Sequence, residues 1–328
     1  MNARKLLCGA AGLATAVAGK SIWNAHHYVI RQRQLYLSPG AARLRILHIS
    51  DPHLTQWHRK RSQFLASLAE LEPDFVVVTG DLIATPSALP LLLESLTELL
   101  KVPGAFVFGS NDYYSAKPRD PTVYLRRNTN HRGEATPDLP TAQLTQHLVE
   151  CGWVDLNNKR ADITADGWRL ELCGVNDPHM AADRYPARST TSYAAATAPL
   201  QQLPDLRIGL SHAPYQHVLD EMQADQRDLV FCGHTHGGQV CLPGQRALVT
   251  NCDLLPRYAS GLFPWPLTAD PDNQYPLLGN GDVSTPTTAA NPQPMWVQVS
   301  AGIGTSPFTP FRVFCPPEVI VLDVYQTR

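Results

Sequence analysis

Short apolar runs alternate with amphipathic segments through the first third of the chain. Residues 44–51 (LRILHISD) and 74–81 (DFVVVTGD) are rich in β-branched residues, each ends in aspartate, and a helix-compatible segment at 61–72 lies between them. A second helical segment at 88–100 leads into a third apolar run at 104–109. This order is typical of βαβ units, so the sequence predicts a parallel sheet with covering helices.

Further strand-like runs predict a second sheet. They occupy residues 168–174, 205–212, 228–234, 295–302 and 318–325. Polar side chains again stand just past the apolar residues of these runs. Residues 115–142 and 264–294 are dense in Pro, Asn, Thr, Gly and Asp without a hydrophobic period, which predicts loop insertions within a domain that spans residues 44–328.

The N-terminal segment, residues 1–43, is apolar and cationic. An uncharged run of 14 residues, LLCGAAGLATAVAG, lies between Arg4-Lys5 and Lys20. A membrane-spanning helix needs about 20 predominantly apolar residues, so this run is marginal as a span. An uncleaved signal anchor or interfacial helix, a cleaved signal peptide and a helix packed on the domain are all compatible with it.

Charge is distributed unevenly along the chain. The 328 residues carry a net charge of −2, which gives no basic field to recruit nucleic acid. Seven of the 27 basic residues precede Asp51, the first acidic residue, and the remainder holds 20 basic and 29 acidic residues. The cationic N-terminus favours an anionic membrane surface as a partner.

The cysteines and the N-terminal charge bear on location. The seven cysteines form no CxxC pair, which fits neither a disulfide framework nor a thiolate zinc site, so we expect mostly buried, reduced thiols. Unpaired thiols and a cationic N-terminus favour the cytoplasmic face of a membrane. A soluble cytoplasmic protein and an exported protein are the alternatives.

Histidines and carboxylates gather just after the predicted strands. Asp51 and His53 are two residues apart on one extended segment, so their side chains point to the same side. The other candidates at strand ends are Asp81, Asn111, His212, His234 and His236. Each alone is explained by helix capping or polar burial, but together they predict a metal site, because mixed carboxylate and imidazole ligands suit Mn, Fe or Zn.

The order of these motifs resembles that of the calcineurin-like metallophosphoesterases. The matching motifs are Asp51-Pro-His53, Gly80-Asp81, Gly109-Ser-Asn-Asp112, Ser211-His212 and Gly233-His-Thr-His236. The resemblance implies an α/β fold, a four-layer α/β/β/α sandwich of two mixed sheets. It implies that one divalent metal ion is bound by Asp51, His53, Asp81 and His236, and a second by Asp81, Asn111, His212 and His234. In such a dinuclear centre, water is activated for direct attack on phosphorus.

The turn FVFGSNDYY, residues 106–114, departs from the family pattern. Aligned from Gly109, Ser110 falls where the family has its metal-binding Asn, and Asn111 falls where it has the His that helps to protonate the leaving group. We favour a shifted turn in which Asn111 supplies the amide oxygen. The usual acid is then missing, so Asn111, Asp112 and His179 are the candidate catalytic residues; His179 ends a second Asp-Pro-His.

Three classes of function fit the sequence. The first is a phosphoester or pyrophosphate hydrolase acting on a lipid-linked or cell-envelope substrate, because the chain is similar to a bacterial membrane-linked branch of UDP-diacylglucosamine pyrophosphatase-like and actinobacterial-type members. The second is a soluble nucleotide phosphodiesterase, which the acidic body disfavours for polynucleotides. The third is a non-catalytic metal-binding module, which the missing histidine favours.

Overall fold

Two large mixed sheets organise the fold. The computed structural model describes residues 19–38, 40–117, 136–188, 204–267, 282–284, 294–305 and 308–326. The strands of the first sheet are β1 (Val29–Tyr36), β2 (Ala42–Ile49), β3 (Phe75–Val78), β4 (Gly104–Phe106), β5 (Val154–Asp155), β13 (Asp282–Ser284) and β15 (Glu318–Gln326). Their order across the sheet is β13-β1-β15-β2-β3-β4-β5, and β15 and β2 are the antiparallel pair.

The second sheet has six strands. They are β6 (Lys159–Ala165), β7 (Trp168–Gly174), β8 (Leu206–Ser211), β9 (Leu229–Cys232), β12 (Gly261–Trp265) and β14 (Met295–Val299). The order is β12-β14-β9-β8-β7-β6, with a parallel centre and antiparallel edges. A separate hairpin is formed by β10 (Cys241–Leu242) and β11 (Arg246–Ala247).

Helices lie outside the two sheets. They are α1 (Arg59–Ser67), α2 (Leu89–Leu96), α3 (Ser110–Tyr113), α4 (Thr141–Glu150) and α5 (Gln216–Ala224). Shorter 3-10 segments occupy Leu68–Leu71, Pro86–Ala88, Leu99–Lys101, Pro178–Met180, His236–Gly238 and Pro256–Tyr258. Residues 19–24 are also helical.

The alternation of side chains along the strands divides the core into layers. Leu44 and Ile46 of β2 face the second sheet, where they belong to the same buried cluster as Trp168 and Trp296. Leu47 and Ile49 point to the opposite face of β2, where they belong to a cluster with residues of α1, α2 and α4. A third cluster joins α5 to the outer face of the second sheet. These three layers confirm the predicted α/β/β/α sandwich. Because the central strands are buried on both faces, their sequences are continuous apolar runs.

The position of the last strand differs from expectation. Residues 318–325 were expected with the second group of strands, but β15 lies in the first sheet between β1 and β2. All eight residues of β1 pair with β15, so part of the segment 1–43 is a sheet strand and the fold begins upstream of residue 44. Apolar alternation encodes which face of a strand is buried but not which strand it pairs with.

Both predicted loop insertions are partly structured at their ends. Residues 118–135 lie outside the described part of the chain, and α4 begins at Thr141, inside the predicted loop 115–142. In 264–294, β12 continues to Trp265 and β13 follows, while 268–281 and 285–293 are not described.

The described residues bear on two further expectations. None of their helices is long and apolar enough to cross a bilayer, and residues 6–18 of the apolar run lie outside them. Six cysteines fall within the described residues and all six are free thiols, four of them buried.

Candidate metal centre

The predicted metal ligands lie at the carboxyl ends of parallel strands from both sheets. They are Asp51 and His53 after β2, Asp81 after β3, Asn111 after β4, His212 after β8, and His234 and His236 after β9. In open α/β sheets, ligands gather at this end of the strands, because the loops there converge and the backbone polar groups are not used by the sheet. The fold therefore brings all seven side chains to one edge shared by the two sheets.

Most of these residues have a left-handed backbone conformation. The φ values are 51° for Asp51, 44° for His53, 56° for Asp81, 67° for His234 and 50° for His236. For residues other than glycine this region costs on the order of 1–3 kcal/mol each, and such strain persists where the surrounding structure imposes it. Its concentration at five candidate ligands indicates a site built for function.

Asp51, His53 and His236 form the first group of ligands. The Nε2 atoms of His53 and His236 are 3.2 Å apart, and they lie 3.8 and 3.7 Å from Asp51 Oδ1. Asp51 Oδ1 is buried and accepts no hydrogen bond from any described residue. A buried carboxylate oxygen without a donor is unfavourable, so a cation bound between these atoms fits the residues present.

Asp81 contacts ligands on both sides of it. Its Oδ2 lies 3.4 Å from Nε2 of His53 and 3.7 Å from Nε2 of His212. Asn111 donates its backbone N–H to Oδ1 and its amide N–H to Oδ2, each over 2.7 Å. Ligand atoms of Asp51, Asp81 and His212 lie within 4.8 Å of one another. The Asp81 carboxylate thus stands where it can serve two cations.

Hydrogen bonds orient the histidines of the second sheet. The carbonyl of Thr79 accepts a hydrogen bond from Nδ1 of His212 over 2.6 Å, so Nε2 is the ring nitrogen that faces Asp81. Nδ1 of His234 lies 3.3 Å from His212 Nε2, and its Nε2 lies 3.3 Å from the carbonyl of Asn251. A protonated Nε2 donating to that carbonyl leaves Nδ1 of His234 as the ligand atom.

The electrostatics of the centre favour a cation. Burial lowers the pKa of His53 to about 4 and those of His234 and His236 well below the ordinary value, so these imidazoles are neutral and can ligate metal. Burial also disfavours the charged form of His212, but the surrounding carboxylates raise its pKa to about 10. The negative field that raises this pKa is the field that attracts a divalent ion.

Asp112 occupies a different environment from the metal ligands. Burial and the charge of Asp81 raise its pKa to about 7, as a catalytic acid requires. Its two oxygens, however, accept the backbone N–H groups of Asp81, Leu82 and Gly109 over 2.6, 2.8 and 2.9 Å. We interpret Asp112 as the residue that fastens the GSND turn to the Gly80-Asp81 turn rather than as a proton donor.

His179 comes to the centre from the second sheet. Its ring centroid lies 4.3 Å from that of His234, and its Nδ1 lies 3.1 Å from the hydroxyl of Tyr215. The residue is half-buried in the 3-10 turn that follows β7. The second Asp-Pro-His therefore ends beside a candidate metal ligand, as the candidate acid must.

Asp177 was not singled out in the sequence. It is fully buried, and its carboxylate accepts the backbone N–H of His179 over 2.8 Å and that of Ser110. It thereby joins the GSND turn of the first sheet to the His179 turn of the second. The repeated Asp-Pro-His was the signal that could have identified it.

Two buried arginines brace the loops that carry the ligands. Arg61 donates to the carbonyls of Pro52 and His53, over 2.7 and 3.2 Å. Arg312 donates to the carbonyl of His236 over 3.2 Å and to that of Ala301 over 2.7 Å. Arg61 acts on carbonyls eight and nine residues before it, whereas Arg312 reaches a carbonyl 76 residues away, which no local pattern could indicate.

Gly109 is required by close packing. A Cβ atom at this position would lie 2.4 Å from Asp81 Oδ1 and 2.5 Å from the ring of His212. Such distances are far below van der Waals contact, so any side chain here would displace the ligands. The glycine that opens the GSND turn thus lets the turn approach the centre.

The two-sheet α/β fold and the candidate metal centre agree with the family resemblance that the motif order indicates. The family model for calcineurin-like phosphoesterases matches residues 44–238. The chain therefore belongs to the calcineurin-like phosphoesterase family, and the resemblance in motif order is confirmed.

Several curated proteins are similar to this chain. UDP-2,3-diacylglucosamine pyrophosphatase LpxG of Chlamydia trachomatis is 29% identical over 262 residues, which cover 68% of this chain and 74% of that protein. Phosphodiesterase YaeI of Escherichia coli is 25% identical, covering 70% and 77% respectively. The uncharacterised metallophosphoesterase YkoQ of Bacillus subtilis is 24% identical, covering 64% and 67%.

Proposed function

We propose that this protein hydrolyses a phosphoester or pyrophosphate bond at a centre that holds two divalent metal ions. The observation that carries the proposal is the buried Asp51 Oδ1, which faces two imidazole nitrogens and accepts no hydrogen bond from the described residues. Divalent ions in such a centre supply a Lewis acid for the phosphoryl oxygen and lower the pKa of water. Mn, Fe and Zn suit the donor set.

We assign the ligands as two sets that share Asp81. Asp51, His53, Asp81 and His236 form one set, and Asp81, Asn111, His212 and His234 form the other. Asn111 is included because its side chain lies against Asp81, where rotation of the amide would turn its oxygen toward the centre. Ser110 offers only a neutral hydroxyl, which is a weak ligand.

His179 serves as the proton donor to the leaving group. Its support is position: the ring lies against His234, and the Tyr215 hydroxyl and the Asp177 carboxylate hold the ring and its backbone. This arrangement compensates for the asparagine that stands where the family has a histidine. A phosphate leaving group, as in a pyrophosphate, needs little protonation, so the altered turn also suits pyrophosphate cleavage.

A lipid-linked or cell-envelope pyrophosphate is the substrate class we favour. The similarity to a UDP-2,3-diacylglucosamine pyrophosphatase supports it, as does the apolar, cationic N-terminal segment. A soluble nucleotide phosphodiesterase is the second candidate, supported by the similarity to a phosphodiesterase of E. coli.

Metal content and hydrolysis test the proposed function directly. We expect about two equivalents of metal per chain and Mn²⁺-supported hydrolysis of bis-4-nitrophenyl phosphate, 4-nitrophenyl phosphate or a uridine diphosphate sugar. Faster cleavage of the pyrophosphate would support the lipid-linked class, and faster cleavage of the diester would support the phosphodiesterase. Bound metal without turnover on any probe would establish the non-catalytic module instead.

A surface beside the centre supports membrane association. Seven of the ten large hydrophobic side chains that are exposed among the described residues come from four segments: residues 19–28, 54–61, 239–248 and 308–316. The seven are Ile22, Trp23, Trp57, Leu242, Leu248, Phe308 and Phe314. We call this set the apolar rim.

The four segments are in mutual contact around the centre. Arg312 donates its backbone N–H to Ser21 over 3.1 Å, and Cys241 donates to Val313 over 2.9 Å. Arg61 makes a side-chain hydrogen bond with Tyr28, which joins segment 54–61 to segment 19–28. None of the four segments contains an acidic residue, whereas Lys20, Arg59, Lys60 and Arg246 are exposed in them. Aromatic and basic side chains without carboxylates suit an anionic lipid surface.

Vesicle binding tests this membrane assignment. We expect the full chain to sediment with vesicles that contain phosphatidylglycerol and to bind phosphatidylcholine vesicles more weakly. Trp23→Ser should weaken binding roughly tenfold through lost apolar burial, and Lys20→Gln about fivefold, since one basic residue near the surface is worth about 1 kcal/mol.

The control for this test is Val149→Ser, because Val149 is an exposed apolar residue on α4 outside the apolar rim. It should bind as the unmodified chain does. Equal binding by the Trp23 and Val149 variants would refute a role for the rim. Truncation is a poor alternative beyond residue 28, because it removes β1 from between β13 and β15.

A further inference from the structure

A chain of buried hydrogen bonds leads from the candidate metal centre into the space between the sheets. Ser50 donates its hydroxyl to Asp51 Oδ2, and Thr79 donates its hydroxyl to Ser50 over 2.7 Å. Nε2 of His48 lies 2.9 Å from the Thr79 hydroxyl. All four residues have no exposed surface. None of the family motifs includes His48, Ser50 or Thr79.

The direction of every bond in this chain is determined. The Asp51 carboxylate can only accept, so the Ser50 hydroxyl must donate to it. The Ser50 oxygen then accepts from Thr79, and the Thr79 oxygen accepts from Nε2–H of His48. The imidazole must therefore be the neutral Nε2–H tautomer, and Nδ1, for which no described residue is a hydrogen-bond partner, is left without a proton. Burial lowers the pKa of His48 to about 3, which agrees with a neutral ring.

These hydrogen bonds give the two carboxylate oxygens of Asp51 different roles. Oδ2 accepts from Ser50 and from the backbone N–H of His234 over 3.0 Å. Oδ1, the other oxygen, faces His53 and His236 and accepts no hydrogen bond from the described residues. Two fixed donors on one oxygen hold the plane of the carboxylate, and so hold the other oxygen toward the cation position.

We infer that His48, Thr79 and Ser50 form a positioning relay that fixes Asp51 Oδ1 as the metal-binding oxygen. The relay rests on the proposed metal centre and extends it to residues that touch neither metal nor substrate. Thr79 has a second part in it, because its carbonyl orients His212. A single residue between the two sheets thereby sets ligands on both sides of the centre.

Cobalt binding tests the relay without any turnover assay. Titration of the metal-free protein with Co²⁺ against a competing chelator, followed by visible absorption, reports affinity and ligand geometry. We expect Thr79→Val, which keeps the side-chain shape but removes the hydroxyl, to bind Co²⁺ about 10–100-fold more weakly with an altered spectrum. Thr79→Ser, which keeps the hydroxyl, should bind Co²⁺ about as tightly as the unmodified chain. His48→Gln, which keeps an N–H donor, should bind Co²⁺ more tightly than His48→Leu.

The matched control is Ser95→Ala. Ser95 and Ser62 form a buried hydroxyl pair between α2 and α1 over 2.8 Å, and this pair is not part of the hydrogen-bond chain from His48 to Asp51. This variant should bind Co²⁺ as the unmodified chain does. Unchanged affinity in Thr79→Val, or a Thr79→Ser variant as weak as Thr79→Val, would overturn the relay.

The tautomer of His48 separates failure of the relay from failure of the metal centre. Imidazole ¹⁵N chemical shifts of the metal-free protein should show the Nε2–H form at His48. In Thr79→Val, which lacks the hydroxyl that accepts this N–H, the preference for the Nε2–H form should be lost. An Nδ1–H tautomer in the unmodified protein would overturn the relay even if Co²⁺ binds. An Nε2–H tautomer in a protein that binds no Co²⁺ would uphold the hydrogen-bond chain and overturn the proposed metal centre.

Discussion

Replacement of Asp81 by asparagine should reduce hydrolysis by about 10³-fold or more and remove bound metal. Asp81 is the side chain on which both ligand sets converge, with Oδ2 3.4 Å from His53 and 3.7 Å from His212. Asparagine keeps the shape but removes the charge, and its NH₂ group would face the two N–H donors of Asn111. Stabilisation by metal is worth several kcal/mol, and each 1.36 kcal/mol is tenfold in rate.

Metal content and kcat of Asp81→Asn are the measurements that decide this. Asp183→Asn is the matched control, because Asp183 also pairs with a histidine, His217, over 2.9 Å but on the protein surface. We expect the control to retain activity within about twofold, since exposed ion pairs contribute little. Full metal content and turnover in Asp81→Asn would show that the two metals are not held as assigned.

Replacement of His179 by alanine should slow hydrolysis in a way that depends on the leaving group. General acid catalysis is typically worth 10²- to 10⁴-fold, and its benefit grows with the basicity of the leaving oxygen. A phenyl phosphodiester should therefore lose about 10²- to 10⁴-fold in kcat/KM. A 4-nitrophenyl diester, whose leaving group departs as a stable anion, should lose less than about tenfold.

The pair of substrates distinguishes proton donation from a structural effect. His147→Ala on α4 is the control, as His147 is also half-buried but lies against Cys151, away from the centre. If His179→Ala slows both substrates equally, the residue supports His234 or the substrate and does not donate the proton. If neither substrate is affected, another group fills the role of the missing family histidine.

The two predictions test two consequences of the altered GSND turn, one for metal binding and one for proton donation. The Asp81 variant tests whether the metal centre is complete although Ser110 and Asn111 stand where the family has Asn and His. The His179 variant tests whether a histidine that follows a strand of the second sheet donates the proton that the turn no longer provides. Asp177 joins the two, since its carboxylate accepts from backbone N–H groups of Ser110 and His179.

The sequence alone determined the family, the layered fold and the set of candidate ligands. Strand-length apolar runs ending in Asp51 and Asp81 predicted parallel strands, because strands buried on both faces need apolar residues throughout. The carboxyl ends of such strands converge, so polar residues placed there were expected to meet. The metal-ligand and catalytic roles of these residues stay predictions, which the experiments above address.

Only the tertiary structure decided which distant residues act on those ligands. Local periodicity states which face of a strand is buried but not its partner, so β1 and the position of β15 in the first sheet were missed. Asp112 reads as an acid in the motif, yet three backbone N–H groups occupy its oxygens. The relay from His48 joins residues 31 positions apart through side-chain hydroxyls. Such contacts exist only after the two sheets have packed, because burial and hydrogen-bond direction depend on neighbours that the local sequence does not specify.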